Sequence, residues 1–154
     1  MNQPLRIGLI GAGMVSRHHL IAWASLSDQA RVVAVADPSS ENAARRASEF
    51  AIPQISASAE AMLAECELDA IDIAAPREMH APLVRLAAAK RLPVLCQKPL
   101  APNLQEAVEL AGCVLAATRG PGESDSVVND VLVVRNDGAF DVPGTFGLQV
   151  PFDH

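Results

Sequence analysis

Nowhere does the chain gather lysine and arginine into a run, and its 12 basic side chains are outnumbered by 18 acidic ones for a net charge of -6. Nucleic acids and anionic membranes are held largely through clustered cations that release counterions, so neither is an expected partner. Cysteine is equally sparse: Cys66, Cys96 and Cys113 are odd in number and form no CxxC pair. That usage fits a reducing compartment better than a disulfide or zinc framework, and it casts the three as small buried hydrophobes. Apolar tracts such as residues 111–117 fall well short of the roughly 20 residues that a membrane-spanning helix needs. The opening Met-Asn-Gln-Pro-Leu-Arg-Ile lacks the basic head and long apolar core of a signal peptide, so a cytoplasmic location is expected. Metal-ligand spacings and serine or cysteine nucleophile arrangements are missing too. His18 and His19, as helix neighbours, point about 100° apart and cannot face one metal.

What is present is a chain of 154 residues, half of them hydrophobic, long enough to bury roughly 70% of its unfolded surface as one domain. Over the first 118 residues, short runs rich in Val, Ile, Leu and Ala alternate with longer Ala-rich stretches of helical spacing. This is the pattern of strand-helix units that build a parallel sheet covered on both faces. Strands are expected at Leu5–Ile10, Arg31–Ala36, Ala70–Ala74 and Pro93–Cys96, with a short extra one at Gln54–Ser56. Helices are expected at Met14–Leu26, Ser40–Phe50, Ala57–Glu65, Ala81–Lys90 and Leu104–Thr118. Asn103, with Glu106 three residues on, marks the start of the last helix, and Pro82 sits where a first-turn proline is harmless. Glu65, Glu67, Asp69 and Asp72 show no obvious partner, and the first three read as a solvated helix end and loop. Trp23 reads as core. After Thr118 the alternation is lost. The domain reading is therefore 1–118 for the α/β domain and 119–154 for a divergent tail. In that tail Val127–Val134 reads as a strand, and Asn136-Asp137-Gly138 as a hairpin turn between Val131–Arg135 and Ala139–Val142.

The first strand runs into Gly-Ala-Gly-Met-Val-Ser, which puts Gly11 and Gly13 at the first two glycine places of GxGxxG and Ser16 at the third. One glycine makes the tight turn, and the next lets backbone approach a pyrophosphate without a side chain in the way. The loop residues Gly11, Gly13, Met14, Val15 and Ser16 are therefore candidates for cofactor binding. Asp37, at the end of the second strand, stands where the dinucleotide fingerprint asks for an acid. Its carboxylate would accept from the adenosine ribose and repel a 2′-phosphate, which favours NAD. Arg45 and Arg46 on the following helix keep NADP open. The bland reading, a tight turn and a helix cap, explains each residue singly but not their joint spacing.

From Arg6 to about Leu115 the sequence resembles the N-terminal domain of the Gfo/Idh/MocA oxidoreductases, the glucose-fructose oxidoreductase and inositol dehydrogenase family. Three segments carry the likeness: Ile-Gly-Leu-Ile-Gly-Ala-Gly-Met-Val-Ser-Arg-His-His, Ala-Ala-Pro-Arg-Glu-Met-His and Leu-Cys-Gln-Lys-Pro-Leu. The resemblance implies a Rossmann-type, doubly wound parallel sheet, with Pro76, His80 and Gln97 on the nicotinamide side and Lys98 as the catalytic or substrate-orienting residue. Arg77 stands where the family usually has Asn, and Gln97 where it has Glu. An amide beside Lys98 still hydrogen-bonds hydroxyls but adds no charge to favour the ammonium.

Family members continue into an antiparallel substrate domain that residues 119–154 do not resemble. The expectation is an NAD(P)-binding domain of an oxidoreductase for a sugar, polyol or related hydroxyl compound, truncated or changed in frame near residue 115 and incomplete for catalysis. Two readings compete with it: a non-catalytic dinucleotide-binding regulatory or interaction module, and a nonfunctional fragment. A homo-oligomer, or pairing with a full-length relative through an uncovered face, is the partner expectation.

Overall fold

The computed structural model describes residues 3–118, 131–134 and 140–141. The chain divides into two compact units, Met1–Pro76 and Arg77–His154.

The first unit alternates strand and helix: β1 (Leu5–Ile10), α1 (Ser16–Ser25), β2 (Ala30–Ala36), α2 (Ser40–Phe50), β3 (Gln54–Ser56), α3 (Ala59–Glu65) and β4 (Ala70–Ile73). Its strands lie in the order β3-β2-β1-β4, all neighbours parallel. Ile7 and Leu9 of β1, Ala34 and Val35 of β2, and Ile71 and Ile73 of β4 are almost wholly buried, the two-faced burial expected of central parallel strands. Leu9, Val35, Leu20, Ala43, Ala47 and Ile52 belong to one apolar cluster, against which Val32 and Phe50 pack. The small residues on α2 let that helix lie close to the strands. Serines start the helices: Ser39 Oγ accepts from the Asn42 N–H and Ser58 Oγ from the Ala61 N–H. α1 begins two residues later than its composition suggests, because Met14 and Val15 remain in the loop.

The second unit opens with a single 3-10 turn, Arg77–Met79, that leads into α4 (His80–Ala89). Then come β5 (Val94–Cys96), α5 (Leu104–Thr118), β6 (Val131–Val134) and β7 (Phe140–Asp141). β6 runs parallel to β5, and β7 antiparallel to β6. Asn103 caps α5 as expected, its Oδ1 accepting the Glu106 N–H at 2.9 Å. In the expected tail, only β6 and β7 fall among the described residues. The expected turn Asn136-Asp137-Gly138 and residues 127–130 of the first tail strand lie outside them.

One expectation needs correcting: the acids after α3 do have partners. Glu67 Oε2 accepts from Arg6 Nη1 at 2.7 Å, and Asp69 accepts from the Arg6 side chain and backbone N–H. Asp72, fully buried on β4, accepts from the Trp23 indole and lies against His19. These partners are 49 to 63 residues away along the chain and meet only because β1 and α1 lie beside β4.

Candidate functional site

The sheet order reverses direction between β1 and β4, and in open parallel sheets ligands bind at the carboxyl ends of the strands at such a switch point. Gly11 leaves β1 there with φ of 98°, in the left-handed region. A Cβ at this position would sit 2.8 Å from the carbonyl carbon and oxygen of Ala74 and from the nitrogen of Ala75. Only glycine lets the loops after β1 and β4 approach this closely. Gly13 is different: a Cβ there would meet no protein atom within 4 Å. Folding alone makes no steric demand for glycine at that place.

Asp37 links the loop to the turn after β2. One carboxylate oxygen accepts the Ala12 N–H at 2.7 Å and the other the Ser39 N–H at 2.7 Å. Each oxygen has a further lone pair, so the carboxylate still has capacity for ribose hydroxyls. Met14 is 83% exposed and Val15 also faces outward. Val15 precedes α1 with no side chain capping the helix, so the positive end of α1 opens onto this surface.

Beneath the loop lies a network absent from the sequence reading. Ser16, at the third glycine place, is fully buried, and its Oγ donates to the Gly13 carbonyl at 2.6 Å. Arg46, only 6% exposed, donates from Nε to Ser16 Oγ at 3.2 Å and from Nη2 to the Gly13 carbonyl at 3.0 Å. Its Nη1 donates to Glu49 at 2.9 Å, and the same carboxylate accepts from Arg17. The two guanidiniums, Arg17 foremost, hold the Glu49 carboxyl below its usual range. The visible signal was a charged residue on the buried stripe of α2, between Ala43 and Ala47. Arg45 is exposed and donates to Asn42 Oδ1.

Farther along α1, His19 Nδ1 lies 2.9 and 3.0 Å from the two Asp72 oxygens, and Trp23 Nε1 donates to Asp72 at 2.7 Å. Burial opposes a charged His19, but the hydrogen bond and charge of Asp72 outweigh it and raise the imidazole pKa.

Pro76, exposed, ends the first unit, and the remaining candidates belong to the second. His80 is 1% exposed with Nδ1 2.9 Å from the Pro99 carbonyl. A carbonyl only accepts, so Nδ1 carries the proton. Gln97 Oε1 accepts the Lys98 N–H at 2.7 Å, the Lys98–Pro99 peptide is cis, and Lys98 is exposed. Arg77 makes an exposed ion pair with Glu78 at 3.6 Å. Among the described residues no cluster of three His, Cys, Asp or Glu could hold a metal, and no helix is long and apolar enough to cross a membrane.

Residues 5–119 match the family model described as "Oxidoreductase family, NAD-binding Rossmann fold", that of the Gfo/Idh/MocA proteins. The chain belongs to this family. Inositol 2-dehydrogenase 4 of Saccharopolyspora erythraea is 33% identical over 118 residues, which cover 77% of this chain and 35% of that protein. D-apiose dehydrogenase of Paraburkholderia graminis is 41% identical over 99 residues, 64% of this chain and 26% of that one. An oxidoreductase from Agrobacterium radiobacter, solved with NAD+, L-tartaric acid and magnesium, matches with a TM-score of 0.70 at 29% identity, over 74% of this chain and 33% of that one. This Gfo/Idh/MocA chain thus spans between a quarter and about a third of the length of these relatives.

Proposed function

We propose that this chain binds NAD(H) and forms the cofactor-binding part of an oxidoreductase acting on a sugar, polyol or related hydroxyl compound. The observation that carries the reading is the meeting of Gly11, Gly13, the uncapped start of α1 and the Asp37 carboxylate at the switch point of the sheet. Gly13 in particular has a site free of protein neighbours and a role only if a ligand approaches. The dinucleotide, when bound, supplies the hydride acceptor or donor. Backbone N–H groups at Met14 and Val15 hold its pyrophosphate, the buried Ser16 shapes the loop beneath, and Asp37 accepts from the adenosine ribose. Asp37 also disfavours a 2′-phosphate, so NAD is preferred over NADP. Arg46 does not reverse that preference, because its guanidinium is engaged beneath the loop.

On the nicotinamide side we assign Pro76 and Gln97 as lining residues, while the buried His80 ring holds the Pro99 carbonyl next to Lys98. Lys98 orients the substrate hydroxyl or helps take its proton, and the Gln97 side chain beside it accepts the Lys98 N–H. The same reading places the chain in the cytoplasm, with Cys66, Cys96 and Cys113 as free thiols.

The test is a calorimetric titration of the purified chain with NADH and with NADPH, repeated on Asp37→Asn. The asparagine keeps an acceptor for the Ala12 N–H, so it removes the charge with less damage to the loop than alanine. Tighter binding of NADH than NADPH, with the preference reduced in the variant, is the expected result. Failure of the wild-type chain to bind either dinucleotide refutes the reading. Light scattering on the same sample checks for a homo-oligomer.

A further inference from the structure

The Gly13 carbonyl accepts two hydrogen bonds from below, one from Ser16 Oγ and one from Arg46 Nη2. A trans peptide is planar, with its C=O and the following N–H pointing in opposite directions. Pulling the Gly13 oxygen toward Arg46 therefore turns the Met14 N–H away from the protein, onto the face where α1 is uncapped. The requirement originates at Ser16. A third glycine would bring no polar group into this packing, whereas the buried serine hydroxyl needs partners. It finds an acceptor in Gly13 and a donor in Arg46 Nε. The guanidinium is itself buried, and it is compensated by Glu49, which Arg17 also holds. Arginine suits this place because its planar fork donates in three directions from one rigid group, to Ser16, Gly13 and Glu49.

We propose that Arg46 is a positioning residue for the dinucleotide pyrophosphate, acting through Ser16 and the Gly13 carbonyl to aim the Met14 N–H at the phosphate. Arg46 touches no part of the cofactor in this scheme. The proposal rests on the NAD(H)-binding reading for its ligand, but the shape of the empty loop can be measured without one.

The experiment compares the wild-type chain with Arg46→Leu, Arg46→Lys and the double variant Arg46→Leu/Ser16→Gly. In ligand-free samples, the backbone amide resonances of Gly13, Met14 and Val15 are followed by NMR, with the single Trp23 indole signal as a monitor of the fold around Asp72. Arg46→Leu is expected to move or broaden the three loop amides and leave the indole in place. NADH affinity should fall roughly tenfold in Arg46→Leu, as for loss of one charged hydrogen bond. It should fall less in Arg46→Lys, which keeps the charge but not the fork. The double variant should recover little of the loss, because it leaves the Gly13 carbonyl without either of the two donors that orient its peptide. If Arg46 served only to satisfy the buried Ser16 hydroxyl, the double variant would regain wild-type affinity, and that result overturns the proposal. Should Arg46→Leu fail to fold, Arg46→Lys and the double variant carry the same comparison. Unchanged loop amides, or an NADH affinity within twofold of wild type in Arg46→Leu, overturn the proposal. Loop amides that respond to Arg46 in a chain that binds no NADH would instead refute the NAD(H) reading and leave Arg46 as the residue that shapes the loop.

Discussion

The turns that leave β1 and β5 sit at equivalent places in their strand-helix units and use different residues to hold their backbone. The β1 turn is held by bonds from several elements: Gly11 to β2, Ala12 to Asp37, and Ser16 and Gly13 to Arg46. Among the bonds of the β5 turn are one from His80 to Pro99 and one between Gln97 and its own neighbour, and Lys98 is exposed. A loop that must present rigid N–H groups to a charged ligand gains from being preorganised. The glycine-rich turn is thus held by contacts within the first unit.

The sharpest way to break the β1 turn is Gly11→Ala. The new Cβ would press against the Ala74 carbonyl and the Ala75 nitrogen, both backbone, with φ already in the left-handed region. A loss of about 3 kcal/mol or more is expected in urea unfolding, from strain and overpacking together. The corresponding cut in the β5 turn is His80→Ala, which removes a buried ring and leaves the Pro99 carbonyl without this donor. It should cost about 2 kcal/mol. If the two losses came out equal, the contrast between the turns would fail.

α1, which the β1 turn opens, makes the first unit sensitive to pH through His19 and Asp72. Their contact raises the folded-state pKa of His19 above its ordinary 6.5. Its contribution is therefore fully present below pH 6.5 and is lost as pH rises through the raised value. The melting temperature of wild type should fall over that alkaline step. That of His19→Gln should lack this component, and a wild-type profile flat above pH 6.5 would remove the pair from the account.

Most of the fold was legible because it rests on periodicity. The bounds of β1, α2, β3 and α5 follow from short apolar runs and helical spacing, and they match the observed elements. The loop residues could be named as candidates because glycines at this spacing between a strand and a helix, with an acid after the next strand, form the dinucleotide fingerprint. Arg46 and Asp72 could not be, since their roles come from partners 30 to 53 residues distant that only the strand order brings near. Arg46 carried a clue all the same, as a charge flanked by Ala43 and Ala47 on the buried face of α2. The same sequence-level view paired it with Arg45 as a ribose-side cation, whereas the helix points one inward and the other to solvent.

The smallest effects on stability should come from the residues that face outward. Lys98→Ala removes an exposed side chain and should leave unfolding within about 0.5 kcal/mol of wild type. Gly13→Ala should be similarly quiet, because its Cβ meets no protein atom and its φ is not in the left-handed region. Its effect on NADH binding should be large, because the added methyl group lies where backbone must approach the pyrophosphate, and a loss of at least about tenfold is expected. This variant separates what the β1 turn does for the fold from what it does for the ligand. Gly11 is required by neighbouring backbone, so its substitution unfolds and unbinds together. Gly13 is required by no neighbour, so a stable Gly13→Ala chain that binds NADH as well as wild type would mean that the dinucleotide does not pass over this loop.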